Sequence, residues 1–277
     1  MLLVADIGNT NITVGVFDGE TLVNTWNLSS DKNKTEDEYG IFLKNIIDLR
    51  SGSEAQIGDA GDKRRAAMQG KLIPAQLHLK SAAITSVVLP LTEKFKIAIE
   101  KYLKIPVLVI SHKTKNGIIL DVENPREVGC DRIANSCAAF SFYKTPAVVV
   151  DFGTATNFDV ITADGKFAGG IISPGIKMSS EAFSHFTNLL PKLKIEDINS
   201  VVGKNTVENM LSGIIIGHAS MIDGLIQRIE EELGQPVTTI STGGYSSMIN
   251  SHLKRPFDHI NPFLTLEGLR IIHELNK

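Results

Sequence analysis

Cysteine is scarce in this chain: Cys130 and Cys137 are its only two, seven residues apart. On one predicted helix they make neither a disulfide framework nor a zinc site, and a reducing, cytoplasmic setting fits them. Charge of one sign is also missing. Lys and Arg number 28 against 31 Asp and Glu, a net charge of −3 with no basic stripe, which argues against a protein built to grip nucleic acid. No apolar run reaches the ~18–20 residues that cross a bilayer, so no membrane span is expected. The N-terminus enters a strand at once, without the basic flank, long apolar region and small-residue cleavage site of a signal peptide. The seven histidines show no HExxH or other ligand spacing, which makes metal ligation by them unexpected. GxSxG, GxGxxG and GxxxxGK[ST] are all absent, which removes the hydrolase elbow, the dinucleotide loop and the P-loop.

What is present is a repeat. Leu2–Glu20 and Val148–Lys166 both read as an apolar run, Asp-x-Gly-x-x, a second strand pattern and Asp-Gly. Asp6 and Gly8 match Asp151 and Gly153 at an offset of 145, and Asp18-Gly19 matches Asp164-Gly165 at 146. With 277 residues, two α/β halves are expected, 1–125 and 126–277, with a cleft between them.

Periodicity fills in the order. Leu2–Ala5, Ile12–Phe17 and Thr21–Asn27 read as strands, with Asp18-Gly19 as a hairpin turn. A helix is predicted over Glu36–Ile47, then a Gly-, Ser- and charge-rich insertion over Ser51–Gln76. A strand over Ala82–Val88 precedes a helix that Thr92 is predicted to cap, and Pro106–Ser111 is another strand. The second half repeats this with strands over Ala147–Val150, Asn157–Thr162 and Lys166–Ile172. A helical pattern begins at about Ile176. A long helix follows Asn205, with Glu208 completing a capping box. Gln235–Ser241 is a strand and Leu264–Leu275 a final helix. His218 is expected to be a satisfied core or interface residue, and Gly213 with Gly217 to serve close helix packing.

Four segments carry possible chemistry. In the first loop, Asp6 to Asn11, Gly8 lets an anion approach the backbone, Asn9, Thr10 and Asn11 add neutral donors, and Asp6 offers Mg²⁺ a hard oxygen. The bland reading is a hairpin whose Asp and Gly only shape the turn. The second loop, Asp151 to Thr156, offers the same parts, so two loops would clamp one polyphosphate; the alternative is that symmetry of the fold alone preserves the pattern. Neither loop contains a basic residue. Ser241-Thr242-Gly243-Gly244 permits a flat ligand to lie on backbone, although strand-to-helix turns often contain glycine. In Glu123 to Arg132, spacing alone leaves Asp131 either a helix cap or a general base. Arg132 has the planar fork that pairs with a substrate carboxylate.

Taken jointly, DIGNTN at Asp6–Asn11, ENPREVGCDR at Glu123–Arg132, DFGTAT at Asp151–Thr156, GGIISPG at Gly169–Gly175 and GKNTVENMLSG at Gly203–Gly213 resemble the type III pantothenate kinase family. The resemblance spans nearly the whole chain. It implies a duplicated ribonuclease-H-like fold of the actin/Hsp70/sugar kinase superfamily. It also implies ATP-dependent phosphorylation of pantothenate, the first step of coenzyme A biosynthesis, with Mg²⁺, a monovalent cation (K⁺ or NH₄⁺) and a homodimer.

By the same resemblance, Asp6, Ile7, Gly8, Asn9, Thr10, Asn11, Ile12 and Thr13 match the ATP-phosphate segment, and Thr154 an ATP contact. Gly129, Cys130, Asp131 and Arg132 match the substrate motif, with Asp131 as proton acceptor. Asp151 matches the monovalent-cation ligand, and Thr206 a pantothenate contact placed across the dimer. Val122 stands where the family usually has tyrosine, and Cys130 replaces a common small residue. Two alternatives are a kinase-derived nucleotide-binding regulator and a kinase of the same scaffold acting on another small alcohol.

Overall fold

A computed structural model describes residues 1–48 and 77–277; the Ser51–Gln76 insertion lies outside the described residues. The chain forms two compact units, residues 1–115 with 269–277, and residues 116–268.

In the first unit, strands β1 (Leu2–Ile7), β2 (Asn11–Asp18), β3 (Thr21–Ser29), β4 (Ser81–Ser86) and β5 (Val107–Val109) form a sheet in the order β3-β2-β1-β4-β5. β1 is antiparallel to β2 and parallel to β4. Alternation along β1 and β2 sends Leu3, Ala5, Ile7, Ile12, Val14 and Val16 to one buried face. Helices α1 (Glu36–Asp48) and α2 (Leu89–Ala98) supply Leu43, Ile47, Leu91 and Phe95 to the same core. Truncating a side chain as buried as Leu43 typically costs about 2–5 kcal/mol. A reciprocal cap starts α1: Thr35 N–H donates to Glu38 Oε2 at 2.8 Å and Glu38 N–H to Thr35 Oγ1 at 3.2 Å.

Thr92 does not cap α2. The helix starts at Leu89 after Val88, with Pro90 in its first turn. Proline suits that position because its φ is already helical and no N–H partner is needed there. Thr92 Oγ1 donates back to the Val88 carbonyl at 3.2 Å.

The second unit repeats the scheme. Strands β7 (Ala147–Phe152), β8 (Ala155–Ile161), β9 (Lys166–Pro174), β10 (Thr238–Gly243) and β11 (His259–Ile260) take the order β11-β10-β7-β8-β9, and β6 (Ile119–Leu120) extends the β9 edge. Read from the other end, this is the order of the first sheet. Each sheet also carries one register shift at a matching step, between Val16 and Phe17 on β2 and between Val160 and Ile161 on β8. The expected duplication of one α/β unit is therefore present down to strand order and register.

One face of the second sheet, with Val148, Val150, Phe152, Phe158 and Val160, packs on α5 (Thr206–Leu233). This helix is long and apolar enough to cross a membrane by composition, but half of its most apolar window is buried in the fold. Asn205 Oδ1 accepts the Glu208 N–H at 3.0 Å as the helix N-cap, while Glu208 Oε2 accepts the Lys204 N–H at 2.7 Å. His218 places Nδ1 2.8 Å from the Ile214 carbonyl and Nε2 3.1 Å from the Pro174 carbonyl, so either tautomer finds an acceptor for its N–H. Gly213 and Gly217 face open space, so the packing expected of them is not made among the described residues.

The expected strand over Gln235–Ser241 runs instead over Thr238–Gly243. Gly234 ends α5 in the left-handed region, and Gln235 N–H returns to the Glu230 carbonyl at 3.2 Å, so these residues terminate the helix. The remaining α-helices among the described residues are α3 (Cys130–Phe142), α4 (Ile176–Phe186), α6 (Ser246–Asn250) and α7 (Leu264–Leu275).

Candidate active site

The first loop joins β1 to β2, whose last facing pair is Ile7 and Ile12. Gly8 N–H donates to the Asn11 carbonyl at 2.9 Å, and Ser30 pins the loop by its N–H to the Thr10 carbonyl at 3.0 Å and by its Oγ to the Gly8 carbonyl at 2.6 Å. The Gly8 N–H is thus spent on closing the turn, not offered to an anion. Asn9, Thr10 and Asn11 stand exposed at the tip. Asp6 faces Thr13 on β2 and Thr85 on β4. Facing residues share one side of a sheet, so Asn27, Thr13, Asp6 and Thr85 form a polar row across four strands. Thr13 Oγ1 donates to Asn27 Oδ1 at 3.0 Å.

The second loop is one residue shorter, with Phe152 facing Thr156. Gly153 N–H again closes it, onto the Ala155 carbonyl at 3.0 Å, leaving Gly153 and Thr154 exposed. Two glycines crowd it. A side chain on Gly175 would collide with the Thr154 carbonyl, and one on Gly243, at φ +87°, would lie 2.5 Å from the Phe152 carbonyl. The glycine-rich GGIISPG and STGG segments therefore abut this loop. Asp151 faces Asn157 and Thr242, the counterpart of Asp6 between its own two partners.

Helix α3 covers the Asp151 face. Asn124 first caps a short helical turn over Pro125–Glu127, its Oδ1 accepting the Arg126 N–H at 3.3 Å. Gly129 is the N-cap of α3, and Asp131 sits in the first turn, accepting the Arg132 N–H at 2.8 Å. The cap reading of Asp131 is thereby set aside: no side chain caps this helix. Gly129 is needed for space, because a Cβ there would collide with Asp131 Oδ1.

From this turn Asn135, one helical turn on, donates to Asp151 Oδ2 at 3.0 Å, and Thr265 Oγ1 donates to Asn135 Oδ1 at 2.7 Å. Arg132 Nε donates to Asp159 Oδ1 at 2.6 Å and Nη2 to the Phe158 carbonyl at 3.2 Å.

The result is a crowded acidic site. Burial raises the pKa of Asp131, opposed by the Arg132 N–H and charge. Asp151 is pushed up to about 6 by burial and then by the charge of Asp131. Asp159 is pushed up to about 7 by burial, against the pull of Arg132. Burial, then Asp131, also raises the Cys130 thiol, which keeps it protonated and a poor nucleophile.

Chemically, this is a desolvated carboxylate suited to accept a proton, beside a cation suited to an anion. Among the described residues no group of three or more His, Cys, Asp or Glu forms a metal cage. The single hard carboxylates Asp151 and Asp6 fit a weakly held K⁺ or NH₄⁺, or an Mg²⁺ that keeps water and phosphate ligands.

Gly129, Cys130, Asp131, Arg132 and Asp151 thus gather in the second unit, with Thr154 at its loop. Asp6–Thr13 belong to the first unit. Thr206 opens α5 as an exposed residue, outside the hydrogen bonds that tie this cluster. Sequence reasoning missed Asn135, Asp159 and Thr265. A spacing of four from Asp131 placed Asn135 on the same helix face, and Asp159 is an acid inside the apolar run Phe158–Ile161.

Comparison with known proteins follows the same lines. The family model for type III pantothenate kinase matches residues 2–228. The chain is 38% identical over 277 residues to the type III pantothenate kinases of Exiguobacterium sp. and of Roseiflexus castenholzii, covering all of each chain. Among solved structures, it is similar to a Campylobacter jejuni protein described as a Baf family transcriptional activator. The TM-score is 0.57 at 18% identity, over 99% of this chain and 98% of that one, a likeness of fold alone.

Proposed function

Since the chain belongs to the type III pantothenate kinase family, we propose that it transfers the γ-phosphoryl group of ATP to the primary hydroxyl of pantothenate. The products are ADP and phosphopantothenate, and the step is the first of coenzyme A biosynthesis. Phosphoryl transfer asks a protein mainly for in-line positioning and charge neutralisation. Asp131 accepts the hydroxyl proton as the oxygen attacks phosphorus. Arg132, with Gly129 and Cys130, receives pantothenate at its carboxylate end. The Asp6–Thr13 segment and Thr154 hold the ATP phosphates. Asp151 would hold a monovalent cation and Asp6 Mg²⁺; such ions supply the positive charge that the two loops lack.

One observation carries this reading: a half-buried carboxylate, Asp131, at the first turn of α3, followed in sequence by a fixed guanidinium, Arg132. A proton acceptor next to an anion receptor suits a hydroxy acid as acceptor.

The exposed Val201, Val202 and Val207 around the start of α5, and the open stripe of Gly213, Gly217 and Gly224, support a homodimer that brings Thr206 to a partner's substrate. The low cysteine count, Cys130 and Cys137 alone, supports a cytoplasmic setting.

The test is phosphorylation of pantothenate by the purified protein with ATP and Mg²⁺, with K⁺ or NH₄⁺ added and withheld. Cation-stimulated turnover is expected. Retained nucleotide binding without turnover of pantothenate would overturn the reading.

A further inference from the structure

Asp159 has no role in the mechanism just described, yet its carboxylate is costly to bury. It sits in β8 between Phe158 and Val160 with no solvent exposure, where an unpaired carboxylate loses several kcal/mol of hydration. An apolar residue would satisfy the packing. Its ion pair is with Arg132, Nε to Oδ1 at 2.6 Å.

The geometry of that pair is informative. Guanidinium presents two forks, a side edge made of Nε with Nη2 and an end edge made of Nη1 with Nη2. Here β8 takes the side edge: Asp159 Oδ1 accepts from Nε and the Phe158 carbonyl accepts from Nη2. The Phe167 ring lies under the plane, 5.3 Å from Cζ, so rotation and tilt are both fixed. Gly170 faces Asp159 across the strands, and a Cβ there would come within 2.5 Å of Nη2 and collide with the Phe158 carbonyl. The end edge is the fork that remains to meet a second carboxylate in bidentate fashion.

We infer that Asp159 is a positioning residue: it turns the end edge of Arg132 toward the acceptor and so makes the enzyme select an acceptor bearing a carboxylate. The inference rests on the proposed role of Arg132 in receiving pantothenate. It also explains a buried acid beside Asp131 and Asp151, because Arg132 offsets a charge that would otherwise repel an anionic acceptor.

The experiment compares kcat/KM for pantothenate and for pantothenol, in which a hydroxymethyl group replaces the carboxylate. Arg132→Gln should abolish the preference for pantothenate. Asp159→Asn, nearly isosteric, should raise KM for pantothenate about 10-fold or more, as loss of a charge-assisted contact does. It should lower kcat/KM for pantothenate far more than for pantothenol, and KM for ATP should not follow. Asp159→Glu, which keeps the charge but shifts Arg132, should also erode the preference and serves if the Asn variant is unstable. If Arg132→Gln abolishes the preference while Asp159→Asn and Asp159→Glu lower both substrates by the same factor, Asp159 is structural and the inference fails. If Arg132→Gln itself leaves the preference intact, the underlying role of Arg132 fails, and the inference with it.

Discussion

The Asn135 side chain bridges Thr265 and Asp151, accepting from Thr265 Oγ1 at 2.7 Å and donating to Asp151 Oδ2 at 3.0 Å. Thr265 thereby fixes which end of the amide faces the carboxylate, and the donation favours ionised Asp151 against the burial that opposes it. Asn135→Ala should weaken Asp151 as a cation ligand. The half-saturating K⁺ concentration for activity should rise about 10-fold, in line with the ~1.5–3 kcal/mol of a hydrogen bond to a charged group. A K⁺ titration of initial rate checks this; an unchanged midpoint would separate Asp151 from the cation.

Asp131→Asn separates chemistry from folding. Removing a general base lowers kcat by about a hundred- to ten-thousand-fold. The same change removes a desolvated charge that raises the pKa of Asp151 and Asp159. The melting temperature should therefore hold or rise while turnover collapses, measured by calorimetry beside the kinase assay. A variant that retains more than about a tenth of wild-type kcat is incompatible with the base role.

The pH dependence of stability has a defined sign. Asp151 at about 6 and Asp159 at about 7 both lie above the unfolded value of 3.8. Between the unfolded and folded values the native state binds more protons, so these groups favour folding at low pH and lose that contribution as pH rises through about 6 to 7. Melting temperature in ligand-free buffer should fall from pH ~5.5 to pH ~8 by several degrees, at roughly 2–4 °C per kcal/mol. Asp159→Asn should flatten the curve. A slope that is the same in the variant would mean that Asp159 does not titrate in this range.

Much of the architecture was readable from residue order. Alternation in Leu2–Phe17 and the Asp-Gly turns located the hairpins, and the offset between Asp6 and Asp151 announced two sheets of one order. Errors arose where a local signal had a competitor. Thr92 resembled a cap, but Pro90 starts the helix earlier. Gln235–Val237 looked extended because they leave α5 by a left-handed glycine. The short edge strands β6 and β11, two residues each, carry no period of their own. At the candidate site, Asp131, Arg132 and Asp151 stood out by motif. Asn135 and Asp159 did not, because their significance lies in partners 16 and 27 residues away.

Two glycine substitutions should behave oppositely, which tests whether the site or the fold is being read. Gly129 has φ −57° and ψ 136°, a conformation open to alanine. Among the described residues its one crowded neighbour is the Asp131 side chain, since Arg132 Cγ would lie at ordinary contact distance. Gly129→Ala should displace the Asp131 carboxylate, lowering kcat by about 10-fold or more, since catalytic groups tolerate little misplacement. Its melting temperature should change little, an N-cap exchange of this kind typically costing about 1 kcal/mol or less. Gly243 has φ +87°, and its Cβ would press on the backbone of Phe152. Gly243→Ala should cost about 1–3 kcal/mol through left-handed strain and that contact. It should lower stability before it touches the proton acceptor. Calorimetry and kcat on the two variants, side by side, give the crossover. If Gly129→Ala lost stability and kept kcat, the placement of Asp131 by Gly129 would be refuted.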